Sequence, residues 1–239
     1  MKPHHGYPCL IALSLLIVGT AVPAEAQEFE RLSRFSVGGN FVISQPRGDL
    51  GDNISTGYGA QGTVLFHLLR SGLINLRFDF SDAVYGREEK FVPGSTSRVV
   101  FEVTTTNSIM AVTLGPEIAV PAGRFRPYAN VGYSRLFLRT KSSLKGIDSS
   151  EEELTNTTNY EDSTNAWVYG GGVRIPLGNT ESALLALDLG LRYYHGGTAS
   201  YLREGSIQDY PDGSITITPL SSRTPILMYA VGVQFRIPR

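Results

Sequence analysis

Cysteine is almost absent from this chain, and its single cysteine is Cys9. Cys9 precedes a short apolar run over 10–18, which follows the basic residue Lys2 and is followed by Ala-Glu-Ala at 24–26. A basic start, a short apolar run and a small-residue site are typical of a secretory signal peptide that is cleaved on export. A cysteine that carries lipid would follow the apolar run, so we expect no lipid attachment.

The first 26 residues are therefore predicted to be a Sec-type signal peptide over 1–26, and the remaining domain spans 27–239. A retained membrane anchor is the alternative for the first segment. The domain itself then has no cysteine, so disulfides and thiolate chemistry are excluded from it.

Long apolar runs are also missing beyond the first segment, which argues against a transmembrane helix in the mature domain. Charge of one sign is not in excess either, since the formal net charge is -1. Overall charge therefore favours neither nucleic acid nor a strongly anionic partner. Only His67 and His195 remain as histidines in the domain, which leaves little material for acid–base or metal chemistry.

The chain does contain a regular alternation of apolar and polar residues, which is typical of β-strands. The predicted strands are 33–45, 57–68, 73–84, 104–120, 126–142, 165–176, 183–195 and 223–237. Three gaps are short and rich in Gly, Pro, Ser or Asn, as in hairpin turns, at 69–72, 121–125 and 177–182. Four gaps are long and polar, as in solvated loops, at 46–56, 85–103, 143–164 and 196–222. Because short and long gaps alternate, all the turns are expected on one side of the sheet.

The two faces of each strand differ in kind. One face carries Leu, Val, Phe and Tyr, whereas the other is small and rich in glycine, with few charges. A soluble sandwich would carry charge over its whole polar face, so the pattern favours a narrow closed barrel with a polar interior and lipid outside. Aromatic residues near the strand ends are predicted to form girdles at the membrane interfaces, namely Phe35, Tyr58, Tyr128, Trp167, Tyr193 and Tyr229.

Two phrases, Arg126-Pro-Tyr-Ala-Asn-Val-Gly-Tyr133 and Gly170-Gly-Gly-Val-Arg174, carry a family resemblance. With the strand pattern over 33–237, the chain resembles the small eight-stranded bacterial outer-membrane barrels, the OmpA-like and OmpX-like porin-family type. The resemblance implies an all-β, eight-stranded antiparallel up-and-down transmembrane β-barrel in the cell outer membrane. It also implies outer-membrane lipids and the outer-membrane barrel assembly machinery as partners. One departure is that Phe235 is followed by four more residues, whereas these barrels usually end at an aromatic residue.

Charged residues on the inward-facing side are predicted to form an ion-pair network in the lumen. They are Arg77, Asp79, Glu117, Arg174, Asp188, Arg192 and Arg236. Charges in a narrow lumen must be paired, because an isolated buried charge costs several kcal/mol. Eight strands leave an interior only wide enough for side chains, which favours a plug over a gate or conduction path.

Three functions remain open on this pattern. The first is an integral outer-membrane barrel with a structural or surface-interaction role and at most minor small-solute permeation. The second is a membrane-rim enzyme that modifies lipid A with His195 as base, but Thr198 and Ser200 do not match the spacing of the deacylase pattern. The third is a soluble lipocalin-like barrel, whose outward face would aggregate in water. We predict no enzyme, no catalytic residue, no cofactor and no metal site.

The long loops are where a specific interaction is expected. The tripeptide over 47–49 is an Arg-Gly-Asp that matches a receptor-binding motif and fits turn chemistry equally well. The acidic stretch over 148–162 fits either a divalent cation or plain solvation. The β-prone segments 97–106 and 198–218 suggest strands that continue beyond the lipid and present an edge to a surface partner.

Overall fold

The computed structural model describes residues 32–93, 100–146, 153–179, 184–210 and 214–238. The predicted signal peptide lies outside these residues. In chain order the elements are β1 (Leu32–Pro46), α1 (Gly48–Asn53), β2 (Gly57–His67), β3 (Ile74–Pro93), β4 (Val100–Ala119), β5 (Arg126–Gly146), β6 (Glu153–Asn179), β7 (Leu184–Tyr201), β8 (Ile207–Asp209), β9 (Ile215–Ile217) and β10 (Leu220–Pro238).

Eight of the strands close into one antiparallel barrel in the order β1-β10-β7-β6-β5-β4-β3-β2. Apart from the pair β1–β10, each barrel strand pairs with the barrel strands that come before and after it in the sequence, so the topology is up-and-down. The short strands β8 and β9 pair only with each other. The prediction of an all-β, eight-stranded antiparallel barrel is therefore confirmed.

Tight turns mark one end of the barrel, which we call the turn end; the opposite end is the loop end. The β2–β3 and β4–β5 turns contain Gly72 and Gly123, whose φ angles are 80° and 106°. An L side chain rarely adopts these angles, so glycine is the residue that these turns require. Of the third predicted turn, residues 180–183 lie outside the described part of the chain.

The strands are longer at the loop end than the sequence pattern predicted. Residues assigned to loops are paired instead, as Gly86–Pro93 with β4 and Glu153–Thr164 with β5. The first segment is rich in charge and the second is rich in Thr and Asn, so neither has the apolar alternation on which the prediction depended. The solvated-loop interpretation was wrong for them.

Above the barrel, β3 to β6 form a four-stranded sheet that we call the loop-end sheet. Its two outer strands have one described neighbour each, because β2 leaves β3 after Val84 and β7 joins β6 only from Ala166. Both outer edges therefore carry backbone groups that no described strand pairs. The β8–β9 hairpin lies between β7 and β10 along the chain, in the region predicted as the fourth loop.

Helix α1 covers the loop end of the barrel. It places Leu50 fully inside, while Arg47, Gly48 and Asp49 of the Arg-Gly-Asp tripeptide remain exposed at its start. The Arg47 backbone N–H donates to the Pro225 carbonyl at 2.9 Å, which ties the helix entry to β10. Among the described residues no helix has the length and apolar character to cross a membrane.

The outward face of the barrel is apolar, and aromatic pairs lie on it. Towards the loop end Tyr133 and Trp167 meet edge-on at 5.4 Å between ring centroids. At the other end Phe35 and Phe66 lie 5.1 Å apart. These bands agree with the predicted girdles, with the exception of Tyr128, which points inward and is buried.

Candidate functional site: the barrel lumen

All the charged residues that the sequence placed in the lumen lie inside the barrel. Each is at most 7% exposed, and they come from β3, β4, β6, β7 and β10. They are Arg77, Asp79, Glu117, Arg174, Asp188, Arg192 and Arg236. Six of them are linked by ion pairs into one group, which we call the lumen cluster; Arg236 stands apart from it, nearer the turn end.

Glu117 on β4 is the centre of the lumen cluster and is fully buried. Arg174 donates to both of its carboxylate oxygens, at 2.8 and 2.7 Å, in a bidentate pair. Arg77 Nη1 donates to Glu117 Oε2 at 2.7 Å, and Asn75 Nδ2 donates to Oε1 at 3.1 Å. One carboxylate thus holds two guanidinium groups, one from β3 and one from β6, through charge-assisted hydrogen bonds, which are the stronger kind.

Asp79 is the second anionic partner of Arg77 and joins β3 to β2 and β7. Arg77 Nε donates to Asp79 Oδ2 at 2.8 Å, and the Thr63 hydroxyl donates to Oδ1 at 2.6 Å. Arg192 Nη1 lies 3.1 Å from Oδ2, an ion pair whose angles do not meet those of a hydrogen bond. The carboxylate is therefore satisfied by three strands at once.

Asp188 is the member of the lumen cluster with the longest ion-pair distance, and Arg236 lies outside the cluster. Asp188 Oδ1 lies 4.0 Å from Arg174 Nε, which is an ion pair beyond hydrogen-bond distance. Arg236 Nη2 donates to the backbone carbonyl of Arg70 at 2.6 Å and so contacts the β2–β3 turn. The six linked residues comprise three cations and three anions, so the lumen cluster is neutral as a whole.

Tyr128 lies in the lumen, and its predicted place in an outer girdle was wrong. The Arg174 guanidinium carbon is 4.1 Å from its ring centroid and that of Arg77 is 5.4 Å away. The ring therefore lies against both arginines that Glu117 binds, in cation–π geometry. The space comes from glycine, because a Cβ at Gly172 or Gly190 would lie 2.5 or 2.8 Å from the Tyr128 hydroxyl.

A hydrogen-bonded chain at the turn end was missed by sequence reasoning. Ser36 Oγ lies 2.6 Å from His67 Nε2, and His67 Nδ1 lies 2.6 Å from Asn75 Oδ1. Asn75 Nδ2 donates to the Gly72 carbonyl as well as to Glu117, so its oxygen must face the imidazole. His67 then carries its proton on Nδ1 and accepts the Ser36 hydroxyl on Nε2. The only sequence signal for this contact was that the alternation on three separate strands places Ser36, His67 and Asn75 on the inward face.

The Ser36–His67–Asn75 chain borders a cavity of about 60 Å³ at the turn-end mouth. Arg126, Arg174 and Arg236 also line this cavity, so its walls are rich in positive charge. A polar cavity of this size has room for water.

The loop-end half of the lumen is apolar, which differs from the polar interior predicted for the whole barrel. We call this the apolar plug; it contains the buried side chains of Val42, Leu50, Ile109, Leu136, Leu138, Val168, Tyr194, Tyr201, Ile226 and Met228. Tyr85 joins it and donates its hydroxyl to the Leu202 carbonyl at 2.8 Å.

The change of interior along β5 shows why the pattern misled. Near the turn end Val131 points outward and Asn130 inward, whereas farther along Arg135 points outward and Leu136 inward. The outward face is apolar in the first stretch and charged in the second. The prediction that polar side chains point inward is therefore correct for the first stretch of β5 but not for the second.

The other residues that the sequence offered as candidates for catalysis or metal binding do not form a site among the described residues. His195 is exposed on the outer face, in register with Trp167, and no described side chain forms a hydrogen bond with it. Of the acidic stretch, Asp148, Glu151 and Glu152 lie outside the described residues, while Glu161 pairs with Arg139 at 2.9 Å and Asp162 accepts the Ser200 N–H. Over the described residues, no group of three acidic, His or Cys side chains is placed to hold a metal ion.

Comparison with solved structures finds barrels of the same size. OprG from Pseudomonas aeruginosa is 12% identical with a TM-score of 0.47, over 87% of this chain and 97% of that one. Ail from Yersinia pestis is 11% identical with a TM-score of 0.42, over 85% and 97%. Neisserial surface protein A is 11% identical with a TM-score of 0.41, over 87% and 98%. At these values the likeness carries no argument about ligand or activity.

Comparison with curated proteins finds no match. Comparison with protein families, in contrast, finds the outer membrane protein beta-barrel domain over residues 11–217, well over half of the chain. Together with the closed barrel and its apolar outer face, this match identifies the chain as a member of the outer-membrane β-barrel domain family.

Proposed function

We propose that this protein is a sealed outer-membrane barrel whose role is to present the loop-end sheet at the cell surface. The sealed lumen is supported by one observation: two successive regions of the lumen are filled by side chains, the first by the lumen cluster and the second by the apolar plug. A solute would have to pass both, and they differ in chemistry.

The two seals resist opening for different reasons. Displacing Arg174 from Glu117 would break a buried bidentate ion pair, and removal of one member of such a pair costs about 3–5 kcal/mol. Opening the apolar plug would expose buried side chains such as Leu136 and Leu138 to water, at roughly 1.5–3 kcal/mol for each large side chain. Minor permeation is therefore confined to rare openings of both.

A conductance measurement tests the sealed lumen. In planar bilayers the unaltered protein is expected to show no steady open state. The double variant Arg77→Ser, Glu117→Ser is expected to show none either, because its apolar plug remains. Conductance is expected only when Leu136→Ser and Leu138→Ser are added to that variant. Steady conductance in the unaltered protein would refute the proposal.

The second half of the proposal concerns the two edges of the loop-end sheet. Along the edge of β3, Gly86–Pro93 pairs with β4 alone among the described strands, and along the edge of β6, Glu153–Glu161 pairs with β5 alone. An open edge offers a row of N–H and C=O groups that an extended peptide can pair by strand addition. The partner this surface fits is an extended segment of another protein.

Peptide display tests this surface without a known partner. A phage-displayed peptide library is panned against the full-length protein in lipid nanodiscs, and extended, β-prone peptides are expected to be enriched. A variant in which 88–105 and 142–157 are each replaced by Asn-Gly keeps the barrel strands, removes both edges and should lose that enrichment. Enrichment no greater than with empty nanodiscs, or equal with both proteins, would rule out the edges as a binding surface.

We also propose that the protein has no hydrolase activity, although Ser36, His67 and Asn75 are connected as in a serine hydrolase. The imidazole shares its cavity with Arg236, so protonating it would add a positive charge beside another. The third member is an amide, which cannot balance that charge as a carboxylate would. A fluorophosphonate probe is therefore expected to leave Ser36 unmodified, and stoichiometric labelling that is lost in Ser36→Ala would establish an active serine.

A further inference from the structure

The outer face of β5 and β6 has a cation directly above an aromatic pair. Tyr133 and Trp167 are 48% and 60% exposed and lie in register on adjacent strands. Arg135 and its register partner Asn165 lie on the same face, two residues farther towards the loop end. At the rise of a β-strand this is about 7 Å along the strand.

The Arg135 guanidinium is oriented by neutral groups. Its Nη1 donates to Asn165 Oδ1 at 2.9 Å, and its Nη2 donates to the Ser163 hydroxyl. Within the described part of the chain no carboxylate lies at ion-pair distance from it, whereas Arg139 on the same face pairs with Glu161. Arg135 is exposed, so its guanidinium is open to a ligand while its side chain is held in place.

The height of this cation in the membrane follows from the aromatic pair. Tyr and Trp side chains of membrane barrels lie at the level of the lipid headgroups. A guanidinium just beyond them faces the headgroups, and its planar fork suits phosphate oxygens better than a lysine would. Asn165 and Ser163 preorganise the fork, which lowers the entropic cost of binding.

We propose that Arg135, positioned by Asn165 and Ser163 above Tyr133 and Trp167, binds the phosphate of an outer-leaflet lipid headgroup. The ligand is a phosphorylated lipid and not a free anion, because the site lies on the outer wall, where the acyl chains can pack beside the aromatic pair. The sealed lumen and the sheet edges play no part in this site, so its test is independent of theirs.

The test uses the full-length protein in detergent, with lipid binding followed by native mass spectrometry. The probes are lipid A and the same lipid with its phosphates removed. The unaltered protein is expected to retain lipid A and to bind the phosphate-free form about tenfold more weakly, the loss for a charge-assisted hydrogen bond. Arg135→Gln is expected to bind both forms at the weaker level.

The matched control is Arg124→Gln, which removes an exposed arginine from the β4–β5 turn at the other end of the barrel and should retain lipid A as the unaltered protein does. Inorganic phosphate at millimolar concentration is expected not to compete. Equal retention of both lipids by the unaltered protein, unchanged retention in Arg135→Gln, or displacement by inorganic phosphate would each overturn the proposal.

Discussion

At the scale of single residues, Glu117 shows how one side chain can connect the barrel wall across its interior. It accepts hydrogen bonds from Arg77, Arg174 and Asn75, which come from β3 and β6. Because Glu117 is fully buried, water cannot replace a lost partner. In so small a lumen, each charged residue depends on the others for its hydrogen bonds and ion pairs.

We expect Glu117→Gln to destabilise the barrel by about 3 kcal/mol or more, since it leaves two buried guanidiniums without their shared anion. The measurement is the temperature at which half of the protein loses its compact, fast-migrating form in detergent gels. Glu161→Gln is the control, because its pair with Arg139 is solvent-accessible and such pairs are worth about 0–1 kcal/mol. Equal shifts in the two variants would contradict the central role of Glu117.

Gly172 gives a second prediction at this scale. A Cβ there would lie 2.5 Å from the Tyr128 hydroxyl and would also collide with the Leu189 carbonyl. Gly172→Ala should therefore lower the unfolding midpoint, although alanine is normally the better strand residue. Gly62→Ala is the matched control, since a Cβ at Gly62 meets nothing within 4 Å. A neutral Gly172→Ala would show that Tyr128 can move away without cost.

The sequence could predict which charges face inward but not what they bind. Period-two alternation assigns Arg77 and Asp79 to one face, and the same argument assigns Glu117 and Arg174 on their strands. The distance across the lumen depends on strand tilt and register, which no local pattern records. The contact between His67, Ser36 and Asn75 was missed for the same reason, and Tyr128 was misplaced because an aromatic near a strand end resembles a girdle residue.

At the scale of elements, the strand ends are where sequence and structure disagree most. The turn ends were predicted well, because Gly and Pro in short gaps leave few alternatives. The loop ends were not, because a segment such as Thr155–Thr158 is polar on both faces and resembles a loop. Pairing there is stabilised by backbone hydrogen bonds to neighbouring strands and not by burial of one face.

The β8–β9 hairpin is an element that the barrel should tolerate losing. Its base is closed by the Thr218 N–H, which donates to the Ser206 carbonyl at 3.0 Å, so the two ends are adjacent. Joining Ser206 to Thr218 by two glycines is expected to leave the gel-shift midpoint unchanged. Leu202→Ser, just before the hairpin, should lower it, because the Leu202 side chain is only 1% exposed. A large loss of stability on hairpin removal would mean that the hairpin helps to close the lumen.

At the scale of the whole molecule, the barrel has two zones of opposite character. The turn-end zone is apolar outside and polar inside, as a sheet in lipid must be. The loop-end zone is charged outside and apolar inside, as in a water-soluble barrel. The same strands thus pass from a lipid environment to an aqueous one, and the barrel interior changes from polar to apolar along them.

The two zones predict how the molecule behaves in bulk. The protein should sediment with the outer-membrane fraction and should migrate faster in detergent gels before heating than after, since a closed barrel resists the detergent. Leu136→Asp should lower the heating midpoint without releasing the protein from the membrane, because the lipid-facing band is unchanged. Recovery of the unaltered protein in the soluble fraction would contradict the two-zone interpretation.

The pairing of β1 with β10 sets the order in which the molecule can assemble. Every other neighbouring pair in the barrel joins consecutive strands of the wall, whereas this seam joins residues about 200 positions apart, such as Phe41 and Val231. Closing such a long chain segment is entropically slow compared with forming local hairpins. The seam is therefore the last joint to form, and Glu117, Arg77 and Arg174, all on strands away from it, can meet before the ring is complete.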